Sequence, residues 1–154
     1  MSRPLSFYPT EGVTLVPVAA GQTLNVGDFV SINADGNAVR IFPANAGEVV
    51  NFGPNPLYGI CLGKTPIDPI HGNKVPVVVL HNRTIWIRWL DGFGNFTIPT
   101  GASFTDYVQI RRALGNVNAL GASPHDLLNT AHGMVLEANG AWVRVRLREN
   151  VFGL

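Results

Sequence analysis

Four histidines, His71, His81, His125 and His132, are the side chains of this sequence best suited to acid–base or metal chemistry. None stands in HxH or HxxxH spacing, and no paired carboxylate accompanies them. Asp68 and His71 share a stretch, but two ligands at loose spacing do not make a tetrahedral metal site, which needs three or four. A Ser–His–Asp relay has no fixed order along a chain, yet no G-x-S-x-G elbow marks a nucleophile here. The 17 glycines build neither a phosphate loop nor a dinucleotide fingerprint. Cys61 is the single cysteine, so no disulfide framework or thiolate cluster can form within one chain. Between Ile60 and Leu62 it reads as a small buried hydrophobe. No catalytic residue, metal or cofactor is assigned, and the chain is expected not to be an enzyme.

Binding chemistry is better represented. Trp86, Trp89 and Trp142 have the flat faces on which sugar rings stack, and equally the bulk that fills a core or a subunit interface. Arg144, Arg146 and Arg148 alternate with Val143, Val145 and Leu147, so one side of a strand carries a column of guanidinium groups. That column is either a solvated outer face that protects the sheet from aggregation or a surface for an acidic partner. Arg111 and Arg112 follow Ile110 in a comparable place. Basic residues are nine Arg and two Lys, a bias found at subunit interfaces, where guanidinium is desolvated at lower cost than ammonium. Charged residues are 14% of the chain and the net charge is +1, against about 25% charged in an average soluble protein. A near-neutral chain is not a general nucleic-acid binder. No stretch of about 18 apolar residues offers a membrane span, and Met1 to Leu5 lacks the apolar core of a signal peptide.

Positioning these groups falls to one pattern used twice. Gly21 to Leu24, Gly27-Asp28-Phe29-Val30-Ser31-Ile32, a turn at Asp35-Gly36-Asn37 and Tyr58 to Leu62 form the first copy. Gly101 to Phe104, Asp106 to Ile110, a turn at Gly115-Asn116 and His132 to Leu136 form the second. Val75–Leu80 closes one and Trp142–Leu147 the other. Internal similarity of this kind predicts a β unit used twice around a shared core, over roughly 21–80 and 101–148. Phe29 should match Tyr107, Ile32 should match Ile110 and Ile60 should match Met134, all buried.

Residues 1–20 carry Pro4, Pro9 and Pro17 among apolar residues and read as an extended arm or edge segment. Leu5, Phe7 and Tyr8 need a surface to cover, either in their own domain or on a neighbouring subunit. Phe152 gives the carboxyl end similar docking character. Thr23 to Phe42 reads as a hairpin, residues 43–57 and 63–73 as loops, Val75–Leu80 and Thr84–Leu90 as two strands linked by His81-Asn82-Arg83, and Asp91-Gly92-Phe93-Gly94-Asn95 as a turn. Ser123-Pro124 is the N-cap pattern of one short helix. Many short strands between turn signals predict an all-β fold: a single-domain barrel or sandwich over 21–154, built from two similar units, with the N-terminal arm at 1–20.

Gly27 to Val30, Gly59 to Leu62 and the valine-rich Lys74 to Leu80 together resemble the small capsid decoration (cement) proteins of tailed bacteriophages. In those families a G-D-x-V strand leads to a G-I-A-L-like strand and then to a valine-rich one. Asp106-Tyr107-Val108 lacks the glycine, and Gly133-Met134-Val135-Leu136 is a looser match, so the likeness covers about half the chain. The resemblance implies a structural virion protein without an active site, made in the host cytoplasm and placed on the outer capsid surface. Its partners would be the major capsid protein and itself, as a homotrimer, with Leu5, Phe7, Tyr8, Arg144, Arg146, Arg148 and Phe152 as contact residues. The alternative is a carbohydrate-binding or host-attachment module on a virion. Trimeric dUTPases, all-β enzymes of similar size, are excluded because their uracil- and phosphate-binding segments have no counterpart.

Overall fold

A computed structural model describes residues 13–52, 56–63, 73–80, 84–99, 107–115 and 119–148. Leu5, Phe7, Tyr8 and Phe152 lie outside the described residues. The fold is all-β, as expected. The described strands are β1 (Val13–Pro17), β2 (Phe29–Ile32), β3 (Ala38–Arg40), β4 (Gly59–Cys61), β5 (Lys74–Val79), β6 (Thr84–Arg88), β7 (Tyr107–Arg112), β8 (Leu120–His125), β9 (Gly133–Asn139) and β10 (Trp142–Leu147). They form two five-stranded antiparallel sheets, ordered β1-β5-β4-β2-β3 and β6-β10-β9-β7-β8. Each sheet belongs to its own compact unit.

The N-terminal unit is built on the hairpin that the sequence marks. Asn33 Oδ1 accepts the N–H groups of Asp35 (3.0 Å) and Asn37 (2.9 Å), and Gly36 takes φ 83° between them. An Asx-type turn with a left-handed glycine closes β2 onto β3 in this way. Val16, Val18, Leu24, Val30, Ala38, Cys61, Val75 and Val77 are buried together as its core. β1 comes from the segment read as an arm. Its Val13 to Pro17 pair with Val78 to Lys74 at the sheet edge, where a proline costs little.

The C-terminal unit takes in residues 42–51 as well as its own sheet. Val50 N donates to Ile110 O and Gly47 N to Arg112 O, both at 2.9 Å. Arg112 Nη1 donates to the carbonyls of Pro43 and Ala44, both at 2.9 Å, and its guanidinium lies 4.7 Å over the Phe42 ring. Part of the segment expected to be a loop at 43–57 is thus bonded along β7.

The two sheets have one topology, and the register shows it residue by residue. Phe29 and Val30 pair with Ile60 and Gly59, and Tyr107 and Val108 pair with Met134 and Gly133. Ile32 faces Ala38 as Ile110 faces Ala122. Val77 faces Cys61 as Val145 faces Val135. Parallel bridges from Val18 to Ala38 and from Trp89 to Ala122 repeat the same relation. The repeat therefore begins earlier than 21 and 101, with β1 and β6 as equivalent first strands. Phe29/Tyr107, Ile32/Ile110 and Ile60/Met134 match as expected. Their burial does not: Phe29, Ile60 and Ile110 are buried, whereas Tyr107, Met134 and Ile32 are only partly so.

The two strands expected at Val75–Leu80 and Thr84–Leu90 are β5 and β6, and they lie in different sheets, β5 beside β1 and β4, β6 beside β10. One expectation fails on non-local grounds: Ser123-Pro124 does not start a helix. Both residues lie in β8, an edge strand that tolerates proline, and Ser123 Oγ contacts Gln109 O at 3.4 Å. Among the described residues, helical structure is limited to a 3₁₀ turn at Leu128–Thr130.

Candidate functional site

The arginine column begins with the alternation of β10. Val143, Val145 and Leu147 are buried, which turns Arg144 and Arg146 to the opposite face. Arg144 Nε lies 2.7 Å from Glu137 Oε1 on β9. β9 carries an extra residue here: Arg144 faces Glu137 and Val145 faces Val135, so Leu136 forms a bulge. Arg148, just past β10, donates from Nη1 to the carbonyls of Leu128 and, at 3.1 Å, Ala131. It is a brace for the 3₁₀ turn. Arg146 is exposed and makes no such bond among the described residues.

Around these groups lies a face of mixed character. Register places Thr84, Arg146, Met134, Tyr107 and His125 in one row across β6, β10, β9, β7 and β8. Trp86, Arg144 and Glu137 form the next row, and Arg88, Trp142 and Asn139 the one after. Trp86 and Trp142 are partly exposed, while Trp89 is buried in the core of the unit.

Beside Arg88 stands a surface that sequence reasoning passed over as a turn. Phe93 is 77% exposed, Ile98 61% and Phe96 41%. Asp91 organises the turn: its Oδ1 accepts the N–H groups of Phe93 (2.8 Å) and Asn95 (3.0 Å), and its N–H donates to Asn95 O (2.9 Å). Those bonds, first of all from the Asn95 N–H, hold the Asp91 carboxyl below its ordinary pKa. Arg111 Nη1 donates to Gly92 O at 3.1 Å, and the Arg88 guanidinium lies 4.6 Å over the Phe96 ring. The available signal was two phenylalanines within a Gly/Asn-rich turn, where polar residues are usual.

The histidines divide. His132 Nδ1 accepts Ile110 N–H at 2.8 Å, which leaves the proton of the neutral ring on Nε2. Burial, then the nearby His125 and Arg148, lowers its pKa to about 4. His125 Nε2 lies 2.6 Å from Thr130 Oγ1. His71 and His81 lie outside the described residues. Among the described residues, no three His, Cys, Asp or Glu side chains gather as a metal centre requires.

Among the described residues of the N-terminal unit, polar chemistry centres on Asp28 and Cys61. Asp28 Oδ2 accepts Asn25 N–H at 2.8 Å and lies 3.1 Å from Arg40 Nε. Desolvation still raises its pKa, outweighing these bonds. The buried Cys61 thiol bonds Gly63 O at 2.8 Å, and burial raises its pKa too, so it is a poor nucleophile. Compared with known proteins, the chain matches no family model, no curated protein and no solved structure.

Proposed function

We propose that this chain is a structural virion protein that binds the outside of a phage capsid and bridges neighbouring major capsid subunits as a homotrimer. One observation carries the reading furthest. Two copies of one β unit are present, and the C-terminal copy leaves an arginine- and tryptophan-bearing sheet face and an apolar turn open to a partner. Such a surface suits holding neighbours. Each contact of a bridging subunit adds little alone, but several must break together before capsomers separate, so the barrier to lattice opening rises steeply. Leu5, Phe7, Tyr8 and Phe152 at the chain ends, with Arg146, are the residues this reading sets against the shell. The trimer contacts are expected to bury more than about 1,000 Å² each, as specific interfaces do.

The test is quantitative mass spectrometry of purified virions. A copy number in fixed proportion to the shell protein is expected, and absence from intact particles would refute the proposal. A second reading, a carbohydrate-binding or host-attachment module, is favoured by Trp86 lying partly exposed beside the Arg144–Glu137 pair. A glycan array separates the two: saturable binding that disappears in Trp86→Ala would support the second.

A further inference from the structure

The repeat supplies its own control for what the fold requires on the face that carries Trp86. Leu15 pairs with Pro76 as Trp86 pairs with Arg144, and Pro17 pairs with Lys74 as Arg88 pairs with Trp142. Val13 pairs with Val78 as Thr84 pairs with Arg146. The N-terminal unit thus makes the same strand pairing with no aromatic ring and no guanidinium at those positions. The bulge is equally particular to one copy. β4 pairs with β5 from Gly59 to Cys61 in unbroken register, whereas β9 holds the extra Leu136 that brings Glu137 opposite Arg144. A bulge re-aims a side chain, and bulges gather beside functional sites. The fold can be built without these groups, so it does not explain them.

Trp86 stands at their centre. Arg144 is directly opposite it, and Trp142 and Arg146 are its diagonal neighbours on β10, roughly 7–8 Å away in such a pairing. Both tryptophans are partly exposed. Arg144 and Glu137, paired at 2.7 Å, still have 36% and 45% of their side chains exposed, which leaves guanidinium donors beside carboxylate acceptors. Arg146 is exposed, and the other residues of its row, Thr84, Met134, Tyr107 and His125, include no carboxylate to offset its charge.

Each feature narrows the occupant. An indole presents a flat apolar face on which a sugar ring stacks. A donor beside an acceptor suits hydroxyl groups, which both give and accept hydrogen bonds, while the side chains of an acidic peptide offer acceptors alone. A neutral sugar would leave Arg146 unmatched, whereas a carboxylate meets a guanidinium in a two-bond fork. A phosphate backbone is held by a continuous basic track, and Glu137 interrupts this one.

We infer, resting on the carbohydrate reading of this face, that β6 and β10 bind a carboxylate-bearing saccharide: its ring lies on Trp86, its hydroxyls bond to Arg144 and Glu137, and its carboxylate is held by Arg146. An array of hexuronate and sialate oligosaccharides, each printed beside its methyl ester, tests this with the intact chain. At least one acid should bind saturably and about tenfold or more tighter than its ester, which keeps the ring and loses the charge. Trp86→Ala should weaken acid and ester alike. Arg146→Gln, a change at an exposed site, should remove the preference for the acid and leave the ester unchanged. Leu15→Ala, at the counterpart of Trp86, should alter neither. Acid and ester bound equally, or a preference that survives Arg146→Gln, overturns the acidic class and leaves the carbohydrate reading standing. No glycan bound overturns both. A hexaglutamate peptide that displaces the acid and still binds Trp86→Ala overturns the inference in favour of an acidic protein surface.

Discussion

The residues in register with Arg144, Arg146 and Arg148 of the C-terminal unit are Pro76, Val78 and Leu80 of the N-terminal unit. Val78 and Leu80 are fully buried, and so are Ile60 and, nearly, Phe29, the counterparts of Met134 and Tyr107. The Phe29 ring stacks on Phe52 with centroids 6.4 Å apart. One sheet is therefore apolar on both faces and the other on one. Each fully buried Val, Leu or Ile contributes roughly 1.5–3 kcal/mol, so the N-terminal copy puts into stability what the C-terminal copy leaves as surface. The duplicated backbone tolerates both because pairing is set by main-chain hydrogen bonds and glycine placement, while the side chains of the second face remain free to vary.

The largest expected effect tests whether the copies are equivalent at the backbone. A Cβ at Gly59 would lie 2.2 Å from Val78 O and 2.7 Å from Val77 Cγ1; at Gly133 it would lie 2.5 Å from Arg146 O and 2.9 Å from Val145 Cγ1. Both glycines thus permit the same close crossing of the central strands. Gly59→Ala should cost about 3 kcal/mol or more and Gly133→Ala about 2, measured by denaturant unfolding. Loss at one site with none at the other would break the equivalence.

The next effect separates the copies by pH. His132 and Tyr58 are counterparts: their N–H groups donate to Val108 O and Val30 O, both at 2.8 Å. Tyr58 has no basic nitrogen, whereas protonating His132 on Nδ1 would remove the acceptor of Ile110 N–H. With a folded pKa of about 4 against an ordinary 6.5, the unfolded chain binds the proton more readily. This contribution to stability is complete above pH ~6.5 and is lost as pH falls toward 4. Lowering pH from 7.5 to 4.5 should therefore cost roughly 2–3 kcal/mol from this group. His132→Asn, which keeps an acceptor but takes no proton, should remove that slope. An unchanged acid limb in this variant would show that other groups dominate.

The smallest effects sort the arginines. Arg148→Ala removes donors to two carbonyls of the 3₁₀ turn and should cost about 1 kcal/mol. Arg144→Ala breaks a pair whose side chains are 36% and 45% exposed, and should cost about 0.5 kcal/mol or less in thermal melts. Reversal of that order would mean that the Arg144–Glu137 pair, and not the turn brace, stabilises the unit.

Much of the strand content was legible because its signals are local. Alternation at Val143 to Leu147, the Asx-Gly turn at 33–37 and the recurring pattern around Phe29 and Tyr107 all act through neighbouring residues, and they located the repeat and the all-β class. The turn at 91–95 was legible too, because Asp91 bonds within its own span. Tertiary structure decided the rest. Which strand lies beside which depends on distant hydrogen bonds: β1 pairs with β5 at the edge of its sheet, and β5 parts from β6 although the two are consecutive. Pro124 sits in a strand because β8 ends its sheet, a position no local pattern encodes. The roles of the arginines followed from Glu137, Leu128 and Ala131, placed nearby by folding. Exposure decided the candidate surface. A phenylalanine in a turn is equally able to be core or anchor until the rest of the chain either covers it, as it covers Leu24, or leaves it open, as it leaves Phe93.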